Sequence, residues 1–201
     1  MLIKSTGVKH PLEPIAQLSA LLESLRVPLG LAFQPAVDLL VQAFASGHKV
    51  LTCGNGGSWC EAAHFAAELS VRYHTDRRAL AALALTDAAA MTACANDYGY
   101  ERVFSRQVEA LGQAGDVLVA ISTSGKSKNV HEAILAAKFR GLGTLGLSGH
   151  RGFESGPDVD IVVPSTVTAR IQECHQLVIH MLCEGVEERL PKGEDDKWKQ
   201  T

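Results

Sequence analysis

Positive charge never gathers into a block in this chain. Its 19 lysines and arginines are offset by 22 aspartates and glutamates, leaving a net charge of −3. A surface that neutralises nucleic-acid phosphates needs a basic patch, so this pattern argues against a nucleic-acid partner. Long apolar runs are missing too. No uninterrupted run has the length of a membrane span, so no membrane role is expected. The N-terminal MLIKSTGVKHPLEP lacks the apolar centre of a signal peptide. The five cysteines (Cys53, Cys60, Cys94, Cys174 and Cys183) form no C-x-x-C pair, which argues against a disulfide framework or a zinc knuckle. Reduced thiols in a cytoplasmic protein are the expectation. Gly125-Lys126-Ser127 resembles the end of a nucleotide P-loop. That pattern needs a glycine five residues before Gly125, where Ala120 stands.

The 201 residues suffice for one domain spanning 1–201 with a sizeable core. Helical spacing of leucines from Pro11 to about Leu25, and of apolar residues over Pro35–Phe44, predicts two N-terminal helices within about 11–46. A core follows over about 48–190, then a charged tail, 191–201, expected to fray. Within the core, Lys49–Cys53, Ala81–Leu85, Asp116–Ile121, Gly143–Leu147 and Val159–Val163 read as strands alternating with helices. That alternation defines an α/β fold, a five-stranded parallel sheet flanked by helices in three layers. Thr168–Leu190 reads as a long helix, apolar around much of its circumference, with both sides covered. His74–Arg78 reads as a solvated loop, and Asn96–Tyr100 as a polar turn or a substrate loop.

Two loops carry the chemistry. After the first strand, Gly54-Asn55-Gly56-Gly57 leads into a helix whose Ser58 and Glu61 have capping-box spacing. Free N–H groups at such a helix start suit an anion. Further along the same helix, His64 and Glu68 share a face. The second loop, Ser122-Thr123-Ser124-Gly125-Lys126-Ser127, again joins strand to helix and offers hydroxyls, which suit a sugar phosphate monoester. Ligands of parallel sheets bind beyond the carboxyl ends of the strands, where both loops lie.

The motifs GNGGS, AAHFAAEL, ANDYGY, ISTSGKS, TARIQECH and VIHMLCE, in this order, closely resemble the sugar isomerase (SIS) family and, within it, the phosphoheptose isomerases. The resemblance covers about Leu18 to Arg189. It implies an aldose–ketose isomerase converting sedoheptulose 7-phosphate to D-glycero-D-manno-heptose 7-phosphate, in a homotetramer with interfacial active sites. It implies Glu68 and His180 as the acid/base pair and His64, Glu68, Gln172 and His180 as zinc ligands. The substrate positions it implies are Asn55, Gly56, Gly57, Ser58, Glu68, Asn96, Asp97, Ser122, Thr123, Ser124, Ser127 and Gln172.

The chemistry is coherent without the resemblance. Moving a carbonyl between adjacent carbons requires removing a proton beside it, which a carboxylate such as Glu68 can do. His180 can carry protons between the two oxygens. Gln172 and His180 lie eight residues apart, about 12 Å along one helix. Either their side chains converge on one ion or the two come from different chains. Three positions depart from the family: Trp59 replaces a smaller or polar residue, Lys126 an asparagine, and Ala169 an aspartate found in some members. His131, His150 and His175 are expected to be surface or packing residues. The main alternative is a non-enzymatic SIS regulator that binds the replication initiator protein. Such proteins typically lose the counterparts of Glu68 and His180, and this chain has both. A hexulose phosphate isomerase is a third reading.

Overall fold

Residues Val117–Ser122 are buried without exception, as expected of a strand covered on both faces. Their side chains alternate between two cores: Val117, Val119 and Ile121 join one, Leu118 and Ala120 the other. In this computed structural model, which describes residues 12–190, the strand is the middle of a five-stranded parallel sheet. The strands are β1 (Val50–Gly54), β2 (Ala82–Ala84), β3 (Val117–Ser122), β4 (Gly143–Ser148) and β5 (Val159–Val162), in the order β2-β1-β3-β4-β5. Helices α1 (Glu13–Ala45), α2 (Gly57–Ser70) and α6 (Thr168–Arg189) cover one face. Helices α3 (Ala88–Tyr98), α4 (Ser105–Leu111) and α5 (Lys128–Phe139) cover the other. The expected three-layer α/β fold is therefore present. Truncating a fully buried residue such as Ile121 to alanine costs about 2–5 kcal/mol in a core of this kind.

β1 is flanked by β2 on one side and β3 on the other. The strand order reverses there, so the loops leaving β1 and β3 lie side by side across the crevice where parallel sheets bind ligands.

The N-terminal region corrects the two-helix expectation. It is a single helix of 33 residues with Pro28 and Pro35 inside it. Proline removes one backbone hydrogen bond, but its fixed φ is helical. The apolar stripe Leu21, Leu25, Leu29, Val37, Leu40 and Phe44 continues through both prolines and stays buried. Joined in this way, α1 is long and apolar enough to cross a membrane, with an 18-residue window of mean hydropathy 1.4, of which 33% is buried in the fold. Composition alone had concealed this. Pro11 and the tail 191–201 lie outside the described residues.

Two further expectations change. Asn96 and Asp97 sit in the last turn of α3, not in an Asx turn, because the helix runs on to Tyr98 and ends at Gly99 with φ 91°. Asp87 caps that helix, accepting a 2.6 Å hydrogen bond from Ala90 N–H. The loop 74–78 is anchored rather than merely solvated. Arg77 bonds the carbonyls of Glu68 (2.8 Å) and Leu69 (2.9 Å) and pairs with Glu187 at 3.0 Å. Burial pushes the Glu187 carboxyl up, but N–H donors from Thr75 and Tyr73, the Thr75 hydroxyl and Arg77 outweigh it and hold the group below its ordinary range.

Candidate active site

The serine loop leaves β3 and enters α5. Ser122 is buried, and its hydroxyl lies 3.1 Å from that of Ser127 and 3.4 Å from that of Ser124. Ser127 occupies the N-cap position of α5, yet its side chain makes no capping bond. Its hydroxyl and the first N–H groups of a 12-residue helix therefore remain available to an anion. Thr123 is half-buried, Ser124 exposed, and Lys126 exposed with its N–H 3.2 Å from Ser124 Oγ.

Across the crevice, Asn55 faces the start of α5. Its amide exchanges two 2.8 Å hydrogen bonds with the buried Asn129 and accepts a third, of 3.0 Å, from the Tyr100 hydroxyl. Asn129 carries no signal in the sequence, and Tyr100 stood out only as part of the Asn96–Tyr100 stretch. Each is remote in sequence from Asn55, so only the fold brings them together. On its other side the Asn55 loop borders a cavity lined by Trp59, Met91, Thr92 and Tyr100 among others.

The expected capping box is not formed. Gly56, with φ 57°, is the N-cap of α2, and no side chain bonds there. Ser58 lies inside the first turn, buried, and Glu61 points into the interior. The Glu61 carboxylate lies 3.6 Å from Nδ1 of His175. His175 is fully buried, a packing residue as expected, with Nε2 3.3 Å from the Ser148 carbonyl. His150 is exposed.

The His/Glu face of α2 meets α6. His64 Nε2 lies 3.0 Å from His180 Nε2 and 3.5 Å from Glu68 Oε1. The Gln176 amide nitrogen is also 3.0 Å from His180 Nε2. One ring nitrogen has a single lone pair or a single proton. Two neighbours competing for it leave a cluster that a cation would satisfy. Ligands about 2.0–2.2 Å from a tetrahedral zinc lie roughly 3.3 Å apart, a spacing bracketed by the 3.0 and 3.5 Å found here. The donor chemistry of His64, Glu68 and His180 thus fits zinc. The pairwise spacing does not amount to a finished centre: among the described residues, no group of three or more His, Cys, Asp or Glu side chains is arranged to hold a metal. Gln172 does not join the cluster. Its amide lies against Cα of Gly57, at the start of α2, where an added Cβ would collide with it. Asn96 and Asp97 are exposed and bonded to each other at 2.8 Å.

Comparison with known proteins agrees with this architecture. The SIS domain family model matches residues 15–149, and the chain belongs to the SIS-domain family. It is 51% identical over 186 residues to the phosphoheptose isomerase of Campylobacter concisus, covering 91% of this chain and 96% of that protein. It is 54% identical over 155 residues to the phosphoheptose isomerase of Helicobacter pylori strain Shi470, covering 76% and 81%. The solved phosphoheptose isomerase of Neisseria gonorrhoeae superposes with a TM-score of 0.77 at 42% identity, over 87% of this chain and 95% of that one. A Vibrio vulnificus NanR structure, at 17% identity and TM-score 0.67, shares the fold alone.

Proposed function

We propose that this enzyme is a phosphoheptose isomerase. It interconverts sedoheptulose 7-phosphate and D-glycero-D-manno-heptose 7-phosphate through an enediol. The observation that carries the reading is the identity of half its residues, over nearly its whole length, with an isomerase of that name. The site supplies matching chemistry: hydroxyls and a helix start for a phosphate, and a carboxylate and an imidazole for proton transfer.

In this mechanism Ser122, Ser124 and Ser127 hold the phosphate at the head of α5, where the helix dipole favours negative charge. Asn55, braced by Asn129 and Tyr100, orients sugar hydroxyls. Glu68 removes the proton from the carbon beside the carbonyl and returns it to the neighbouring carbon. His180 moves the proton between the two oxygens. His64, Glu68 and His180 would hold zinc, which when bound polarises a carbonyl oxygen.

We further infer a cytoplasmic homotetramer whose active sites lie between subunits. Two features support this. Leu12, Ile15, Val27 and Leu31 of the α1 region are 63–78% exposed, an apolar surface suited to a second copy. Gln172 and His180 stand against different turns of α2, so a site using both would draw on two chains. The product would serve as the first intermediate towards nucleotide-activated heptose for lipopolysaccharide, capsule or glycoprotein. The regulator reading finds no support, since Glu68 and His180 are both present and both adjoin His64.

The test is turnover of Glu68→Gln and His180→Ala. Each is expected to fall by about 100-fold or more, the scale of a lost acid/base group, with the circular dichroism of the wild type. Near-normal turnover in either variant would remove that residue's role.

A further inference from the structure

Beneath the serine loop lies a histidine that the mechanism above does not use. His131 is on α5, one turn after Ser127. Its Nε2 lies 2.6 Å from the Gly125 carbonyl oxygen, and its Nδ1 lies 3.0 Å from Ser155 Oγ. The ring packs edge-on against Phe153, with centroids 5.7 Å apart. A carbonyl only accepts, so Nε2 carries the proton and donates it to Gly125. Nδ1 is then the acceptor, and the Ser155 hydroxyl donates to it. The Gly125 carbonyl thus fixes the tautomer, and the Ser155 hydroxyl satisfies the ring's other nitrogen and holds its orientation.

The Gly125 carbonyl belongs to the same planar trans peptide as the Lys126 N–H, and the two point in opposite directions. Holding the carbonyl down against α5 turns the N–H upward, where it meets Ser124 Oγ at 3.2 Å. Gly125 itself has φ 64° and abuts the Gly152 carbonyl, so a side chain there would collide. Its peptide is therefore flanked by glycine on one side and is free to rotate unless something fixes it. A rotated peptide would withdraw that N–H from Ser124 Oγ and direct its carbonyl oxygen towards the serine hydroxyls.

We propose that His131 is a positioning residue of the phosphate site: with Ser155 it locks the Gly125–Lys126 peptide so that the Lys126 N–H donates to Ser124 Oγ and turns the Ser124 hydroxyl proton towards the substrate's phosphate. This rests on the reading that the serine loop holds that phosphate. It would give His131 a role beyond the surface or packing one expected of it.

The experiment uses the full-length enzyme and measures steady-state kinetics with sedoheptulose 7-phosphate and calorimetric binding of inorganic phosphate. His131→Phe keeps the ring against Phe153 and removes both hydrogen bonds. It should raise KM and the phosphate Kd together by about 2- to 10-fold, the value of one net hydrogen bond, with kcat unchanged. His131→Gln, whose amide N–H can reach the Gly125 carbonyl, should recover most of the loss. Ser155→Ala should weaken phosphate binding by less, and adding it to His131→Phe should change nothing more. Unaltered phosphate affinity in His131→Phe, a fall in kcat at constant KM, or full additivity of the two changes would overturn the proposal. Should His131→Phe fail to fold, Ser155→Ala decides: unchanged phosphate affinity in that loop variant overturns it. A wild type that binds sedoheptulose and its 7-phosphate equally well would instead refute the phosphate assignment of the loop itself.

Discussion

Gly57→Ala should separate stability from activity, lowering activity while leaving stability nearly unchanged. Gly57 opens α2 with φ outside the left-handed region, so alanine fits the backbone without strain. Replacing glycine by alanine inside a helix gains about 0.5–1 kcal/mol. The new methyl, however, would collide with the Gln172 amide, the movable end of a flexible side chain. Displacing that side chain costs about 0.5–1.5 kcal/mol if it is forced off its rotamer. The two terms nearly cancel, so urea unfolding should place the variant within about 1 kcal/mol of the wild type. Function has no such compensation. If Gln172 contacts substrate or metal, moving it should lower kcat/KM by about 10- to 100-fold, the usual cost of disturbing a metal site's surroundings. The assay pairs urea denaturation with initial rates on sedoheptulose 7-phosphate. Unchanged kcat/KM would show that Gln172 has no role where it lies. A loss of several kcal/mol would show that the contact with Gly57 is rigid packing and not a movable side chain.

Ser124→Ala should weaken sedoheptulose 7-phosphate binding by about 10- to 150-fold, the range for one charge-assisted hydrogen bond, as read by calorimetry, while leaving the melting temperature unchanged because Ser124 is exposed. Zinc should be found in the purified enzyme by elemental analysis, and His64→Ala should lose it; retention of metal by that variant would place the ion elsewhere. Glu187→Gln should cost about 1.5–3 kcal/mol at pH 7, since the carboxylate accepts charge-assisted bonds from Arg77 and the 73–75 backbone. The Glu187 carboxyl is held below its ordinary value of 4.5, so its stabilisation is complete above that pH and lost as pH falls through the folded value. Urea titrations of wild type and variant should therefore converge on acidification below about pH 4.5, and a gap that persisted there would contradict the carboxylate's role.

The sheet was legible in the sequence because strands buried on both faces write themselves as continuous apolar runs. All five expected strands are present with boundaries shifted by no more than one residue. The errors have local causes. Two helices were expected, ending near Leu25 and starting at Pro35, but the buried stripe beside α6 and β5 runs on through the stretch between and outweighs the hydrogen bonds lost at Pro28 and Pro35. Ser58 and Glu61 had the spacing of a cap, but Gly56 takes the cap position and both polar side chains are drawn inward, Glu61 towards His175. Within the site, pairs local in sequence were visible, such as His64 with Glu68 on one helix face. Partners contributed by other elements were not. Asn129 and Tyr100 meet Asn55, and Ser155 meets His131, only because the fold places their elements side by side. Sequence spacing also left open whether Gln172 and His180 could share one ion. Within one chain Gln172 stands beside Gly57, in the first turn of α2, and His180 beside His64, further along it.

The central claim is that this enzyme isomerises a heptose phosphate by removing a proton beside the carbonyl. Proton NMR of the purified protein with sedoheptulose 7-phosphate in deuterated water tests it most directly. Signals of D-glycero-D-manno-heptose 7-phosphate should appear with deuterium at the carbon beside the new aldehyde, and Glu68→Gln should produce neither product nor exchange. Unconverted sedoheptulose 7-phosphate, or conversion that proceeds undiminished in Glu68→Gln, would contradict the account.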